Sequence, residues 1–89
     1  MEVKGKFIIA CNKCGKSYDY SSENVDFIAF DKRPEDECYR WRKNFDCVKC
    51  SNPISIIYEF CISSEGVIKD KRVIVEGARI VEDSFEFVC

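Results

Sequence analysis

The sequence predicts a small, mostly β protein, and three observations carry the prediction. Two Cys-x-x-Cys knuckles, Cys11-Asn12-Lys13-Cys14 and Cys47-Val48-Lys49-Cys50, stand 32 residues apart. Each is entered from an apolar or aromatic run, Phe7-Ile8-Ile9 before the first and Trp41 to Phe45 before the second. Beyond Pro53 the chain is a succession of β-branched and aromatic runs broken by turn residues, read as a C-terminal antiparallel meander.

The elements follow in chain order. Lys6 to Ala10 is a strand entering the first knuckle, and Lys16 to Tyr20 its returning hairpin partner. Ser21-Ser22-Glu23-Asn24 is turn chemistry, and Val25 to Phe30 a further strand. Asp31 to Glu37 is the most charged stretch. Pro34 there offers a helix start, and a helix over 34–43 would place Arg40, Arg42 and Lys43 at its dipole-compatible end. The alternation of Tyr39, Trp41 and Phe45 against Arg40, Arg42, Asn44 and Asp46 favours a loop followed by a strand. Ile54 to Ile62 is the longest β-type run, with apolar residues on both faces, and reads as a central strand. Ser63-Ser64-Glu65-Gly66 closes a hairpin, Val67 to Glu76 returns, and Gly77 makes a turn or bulge. Two short strands remain, Ala78 to Glu82 and Phe85 to Val88, with Phe85 and Phe87 inward.

The chemistry lies in the cysteines. Cys11, Cys14, Cys47 and Cys50 supply the four thiolates that a closed tetrahedral zinc site needs, and Gly15 permits the tight turn that aims backbone N–H groups at the sulfurs. With no His in the chain, a catalytic zinc holding an open water position is disfavoured, and no base is available to activate a Ser or Cys nucleophile. Four thiolates also accept iron. Of the other three cysteines, Cys61 reads as small apolar filler inside a strand and Cys89 as an exposed thiol, while Cys38 is left without a role.

The knuckles Cys11-Asn12-Lys13-Cys14-Gly15 and Phe45-Asp46-Cys47-Val48-Lys49-Cys50-Ser51 resemble those of the zinc-ribbon superfamily, which have the form Cys-Pro-x-Cys-Gly. The resemblance covers roughly residues 6–20 and 44–60. Both knuckles lack the Pro, and the second has Ser51 in place of Gly. The resemblance implies knuckles at the ends of hairpins; the superfamily's functions are diverse, and no active site carries over.

Eighty-nine residues make one domain, 1–89, whose core is small enough that a bound metal would decide folding. The N-terminus lacks the pattern of a secretory signal, and no apolar run reaches the ~18 residues of a membrane span, which points to the cytoplasm. Fourteen Lys/Arg against sixteen Asp/Glu is not the field of a nucleic-acid binder. The imbalance sits in residues 51–89, with four basic against seven acidic side chains.

These features lead to an expectation of a protein-binding module without chemistry or small-molecule substrate. Its most concrete form is an immunity or inhibitor protein that neutralises a basic toxin. The alternative is a nucleic-acid-binding ribbon using Arg40, Trp41, Arg42 and Lys43, since an exposed Trp stacks bases while Arg holds phosphates. Against it, strand alternation puts Trp41 on the face opposite the arginines, and Glu35, Asp36 and Glu37 repel phosphate.

Overall fold

The computed structural model describes residues 2–88, and among them no helix occurs. Nine strands form: β1 (Glu2–Lys4), β2 (Phe7–Cys11), β3 (Ser17–Tyr20), β4 (Ile28–Lys32), β5 (Asp36–Asp46), β6 (Pro53–Ser63), β7 (Ile68–Glu76), β8 (Ala78–Asp83) and β9 (Glu86–Val88). They make a four-stranded sheet in the order β4-β5-β6-β7, a three-stranded sheet β3-β2-β8 and a two-stranded β1-β9 ribbon. All pairings are antiparallel. The mostly β, zinc-ribbon-like architecture with two hairpin-end knuckles is the one the sequence predicts. The C-terminal extension is antiparallel as well, but its strands are shared out: β7 lies on β6, β8 crosses to β2, and β9 pairs with β1.

Alternation explains which face each strand buries. On β6, Ile54, Ile56, Tyr58, Phe60 and Ile62 all point inward and are buried, while Ser55, Ile57 and Glu59 are half-buried on the other face. Phe85 and Phe87 are buried against them, with Phe60 and Phe87 stacked at 3.8 Å between centroids. Residues 25–27 are not strand, in contrast to expectation, because Phe27 leaves the chain's surface path and inserts its ring among the core aromatics. It sits 5.5 Å from Tyr58, 5.3 Å from Phe60 and 5.2 Å from Phe87. A strand through 25–27 would have kept that ring at the sheet's edge.

Asp83 fastens β8 onto the large sheet. It accepts a hydrogen bond from the Tyr58 hydroxyl (2.9 Å) and an ion pair from Lys71 (3.0 Å). Burial, together with that carboxylate, pushes the Tyr58 hydroxyl's pKa up, so the phenol stays a donor.

The filler role expected of Cys61 is overturned, because Cys61 and Cys38 form a disulfide between β5 and β6. The two residues are directly opposed in the register, and both are buried. Cys89 falls outside the described residues.

The disulfide closes a loop of sequence separation 23, which in the chain-entropy picture corresponds to about 3 kcal/mol. The double variant Cys38→Ala/Cys61→Ala is expected to lower unfolding free energy by about that amount in urea titration with metal held saturating. An unchanged midpoint would show that the bond adds nothing to the existing hairpin.

Candidate metal centre

Two loops of the same design bring the four sulfurs together. In the first, the Cys11 N–H donates to the Lys16 carbonyl (2.9 Å) and the Gly15 N–H to the Cys11 carbonyl (2.9 Å). In the second, the Cys47 N–H donates to the Asn52 carbonyl (2.8 Å) and the Ser51 N–H to the Cys47 carbonyl (2.7 Å). The residue after each second cysteine is left-handed, Gly15 at φ 76° and Ser51 at φ 63°. Glycine adopts that conformation freely, whereas Ser51 bears a cost of about 1 kcal/mol that the closed loop must offset.

The Sγ atoms of Cys11, Cys14, Cys47 and Cys50 all lie within 4.8 Å of one another. Two of the separations cross between knuckles, Cys11 to Cys50 and Cys14 to Cys47, each 3.5 Å. Four thiolates about 2.3 Å from one tetrahedral ion sit about 3.8 Å apart, so the donor set and its spacing fit a single metal ion. Cys11 and Cys47 are buried and Cys14 and Cys50 half-buried, and four thiolates complete a tetrahedral coordination. An ion held this way acts as a closed structural crosslink.

Second-layer groups orient the sulfurs, and sequence reasoning missed the main one. Tyr18 donates its hydroxyl hydrogen bond to Cys47 Sγ (3.2 Å) while its oxygen accepts from the Val48 N–H (3.0 Å). Its place on the strand leaving the first knuckle was legible, but its reach to the second knuckle depends on how the hairpins pack. Gly77 is the other missed tie. Its carbonyl accepts from the Asn12 N–H (3.1 Å) and from Asn52 Nδ2 (2.9 Å), so one backbone oxygen joins both knuckles. Gly77 has φ 80°, and a Cβ there would meet the Pro53 carbonyl oxygen at 2.1 Å, so no other residue fits.

The sulfurs differ in proton affinity. The Cys14 backbone N–H draws the Cys11 thiol's pKa down, and the Tyr18 hydroxyl draws Cys47 down to about 6. At Cys50 the Asn52 backbone N–H also pulls downward, but desolvation and the three neighbouring thiols outweigh it and push the value up to about 12. Thiolates crowded into one small volume repel, and a central cation removes that penalty.

The aromatic and basic cluster is dispersed rather than gathered. Trp41 is buried, packed edge-on against Phe7 (6.2 Å) and Tyr20 (5.0 Å). Arg40 binds Glu59 through Nη2 (2.9 Å) and lies over the Phe30 ring (4.3 Å). Lys43 points to the Trp41 side, over Tyr20 at 5.6 Å, while Arg42 is exposed on the opposite face. No helix among the described residues is long and apolar enough to cross a membrane. No family model matches the chain, and comparison with curated proteins and with solved structures finds no match.

Tyr18→Phe removes one donor to sulfur and strands the Val48 N–H. The expected result is a metal affinity about tenfold weaker in chelator competition, with the same stoichiometry. Removing the metal with a strong chelator is expected to abolish the cooperative thermal transition, as followed by circular dichroism; an apoprotein that melts cooperatively at an unchanged temperature would contradict the crosslink.

Proposed function

We propose that the four cysteines hold Zn²⁺ as a structural ion and that the protein acts by binding another protein. Cys11, Cys14, Cys47 and Cys50 are the ligands in this reading, and the zinc-ribbon superfamily is the one it resembles. The all-thiolate donor set, closed geometry and absence of His in the sequence favour a structural zinc. Iron in the same site would give strong visible absorption, so elemental analysis together with an absorption spectrum separates the two.

The observation that carries the binding role is the free edge of the large sheet. Every residue of β4 is exposed, and it presents Ile28 (64% exposed) and Phe30 (46%) beside an unpaired row of backbone groups. Such an edge accepts an added strand from a partner, with apolar side chains supplying specificity. The acidic balance of residues 51–89 favours a basic partner. Neutralisation of a basic toxin is the narrowest form of this reading. The nucleic-acid alternative has less support, because the one Trp is buried and Arg40 is engaged with Glu59. A cytoplasmic location belongs to this reading only with Cys38–Cys61 as a redox-active bond, since structural disulfides persist in oxidising compartments.

Affinity capture from the native source is expected to recover a basic polypeptide whose retention falls as salt rises. Ile28→Asp should reduce that retention at least tenfold while leaving thermal stability within about 0.5 kcal/mol, as expected of an exposed site. Recovery of nucleic acid instead, with a steep salt slope lost on Arg42→Glu, would replace this reading by its rival.

A further inference from the structure

Cys61 lies between Phe60 and Ile62, which point into the core, so strand alternation turns it to the outer face of the large sheet. There the Cys38–Cys61 disulfide lines an open depression of about 280 Å³. Phe30, Arg33, Glu59, Asp70 and Arg72 stand around it. The two basic and two acidic side chains balance, and Glu59 is also held by Arg40. A small anionic thiolate is neither drawn to this rim nor excluded from it.

The backbone holds the two cysteines opposite each other without help from the bond. Counted from the Cys47–Asn52 hydrogen bond, ladder bonds fall on every second pair, and Cys38–Cys61 lies an odd number of residues back. At such a position the backbone groups of the two strands point away from each other and the side chains come closest. Pairing continues beyond the bond, where Glu37 faces Ile62, Asp36 faces Ser63, and the Ser64 N–H donates to the Glu35 carbonyl (3.3 Å). The hairpin is therefore closed on both sides of the sulfurs, which stay opposed whether joined or not. The four candidate metal ligands sit at the other end of the hairpin, so opening the bond touches none of them.

We propose that Cys38–Cys61 is a redox-reversible clasp, a thiol–disulfide pair that opens and recloses while the chain stays folded and its knuckles stay joined. Cys61, 5% exposed against 1% for Cys38, is the sulfur that a reducing thiolate reaches first. A thiolate of a dithiol attacks Cys61 Sγ, and Cys38 Sγ leaves with the bonding electron pair and takes up a proton. The dithiol's second sulfur then displaces Cys61, which is released as a thiol while the dithiol closes to its own disulfide. Two electrons and two protons have passed from the dithiol to the chain. Cys38 also pairs with Asp31 of β4, so the clasp lies one strand in from the free edge that the binding reading offers to a partner. The inference goes beyond that reading and needs no partner; it supplies the redox-active bond that a reducing compartment requires.

The test equilibrates the metal-loaded full chain, without denaturant, in mixtures of reduced and oxidised dithiothreitol, followed by alkylation and peptide mass analysis. Cys38 and Cys61 are expected to gain label together, with the metal content and the cooperative thermal transition retained, and to lose it again when the mixture is made oxidising. Cys38→Ser leaves Cys61 as a single thiol, and hydroxyethyl disulfide is expected to cap it in the folded variant. Labelling only in denaturant, loss of the metal or of the transition on reduction, reoxidation into other pairings, or a folded variant that is never capped at Cys61 overturns the proposal. No partner enters the experiment, so its failure leaves the protein-binding reading standing and places it in an oxidising compartment. Failure to capture any partner would conversely leave the clasp standing.

Discussion

Four sulfurs that must share one small volume constrain everything else in this chain. Cys14 and Cys47 are 33 residues apart in sequence, yet their Sγ atoms are 3.5 Å apart. Without a cation at the centre, the repulsion among thiolates and the burial of Cys11 and Cys47 would drive the knuckles apart. With one, the ends of two hairpins are fixed together, and the strands leaving them start from a common point. The Gly77 carbonyl extends the same constraint to the C-terminal strands, because it can reach Asn12 and Asn52 together only when the knuckles are docked. The turn from β7 into β8 is thereby anchored to the metal end of the molecule.

How far the sequence could be read follows from how local each feature is. The knuckles, the alternation on β5 and β6 and the inward Phe85 and Phe87 are set by neighbours a few residues away, and they were legible. The disulfide was legible in principle and was missed. The hydrogen bond from Cys47 to Asn52 makes the second knuckle a hairpin turn, and in that register paired residue numbers always add to 99. Cys38 and Cys61 obey the rule and must face each other. Reading the knuckle as a metal loop alone, without using it to set strand register, hid the pairing. Tyr18, Phe27 and the β1–β9 ribbon were not legible, since each contact depends on how separate hairpins pack. Ser51 shows the same divide from the other side: the local residue departs from the glycine pattern, and the loop's hydrogen bonds still hold it left-handed.

Period-2 geometry also decides what the basic cluster can do. Successive residues on β5 point to opposite faces, so Arg40 and Arg42 cannot share a surface with Trp41 and Lys43. The indole goes to the core, where it meets Phe7 and Tyr20, and its value is in packing. Arg40 is held by Glu59 from the facing strand, a cross-strand pair at 38% and 15% side-chain exposure. Such a pair shapes the outer face more than it stabilises the fold. A sequence run that looks like one recognition element is split by the strand into a structural half and a surface half.

The two ends of the β5–β6 hairpin then carry different duties. Eleven residues per strand at about 3.4 Å each separate the knuckle end from the Asp36–Ser63 end by roughly 35 Å. The Cys38–Cys61 bond lies near that far end, two residues from Asp36 and Ser63. A crosslink there and, in the zinc reading, an ion at the other end hold the long hairpin at both extremities. The register of the hairpin fixes both, since the pairing that closes the second knuckle also sets Cys38 opposite Cys61.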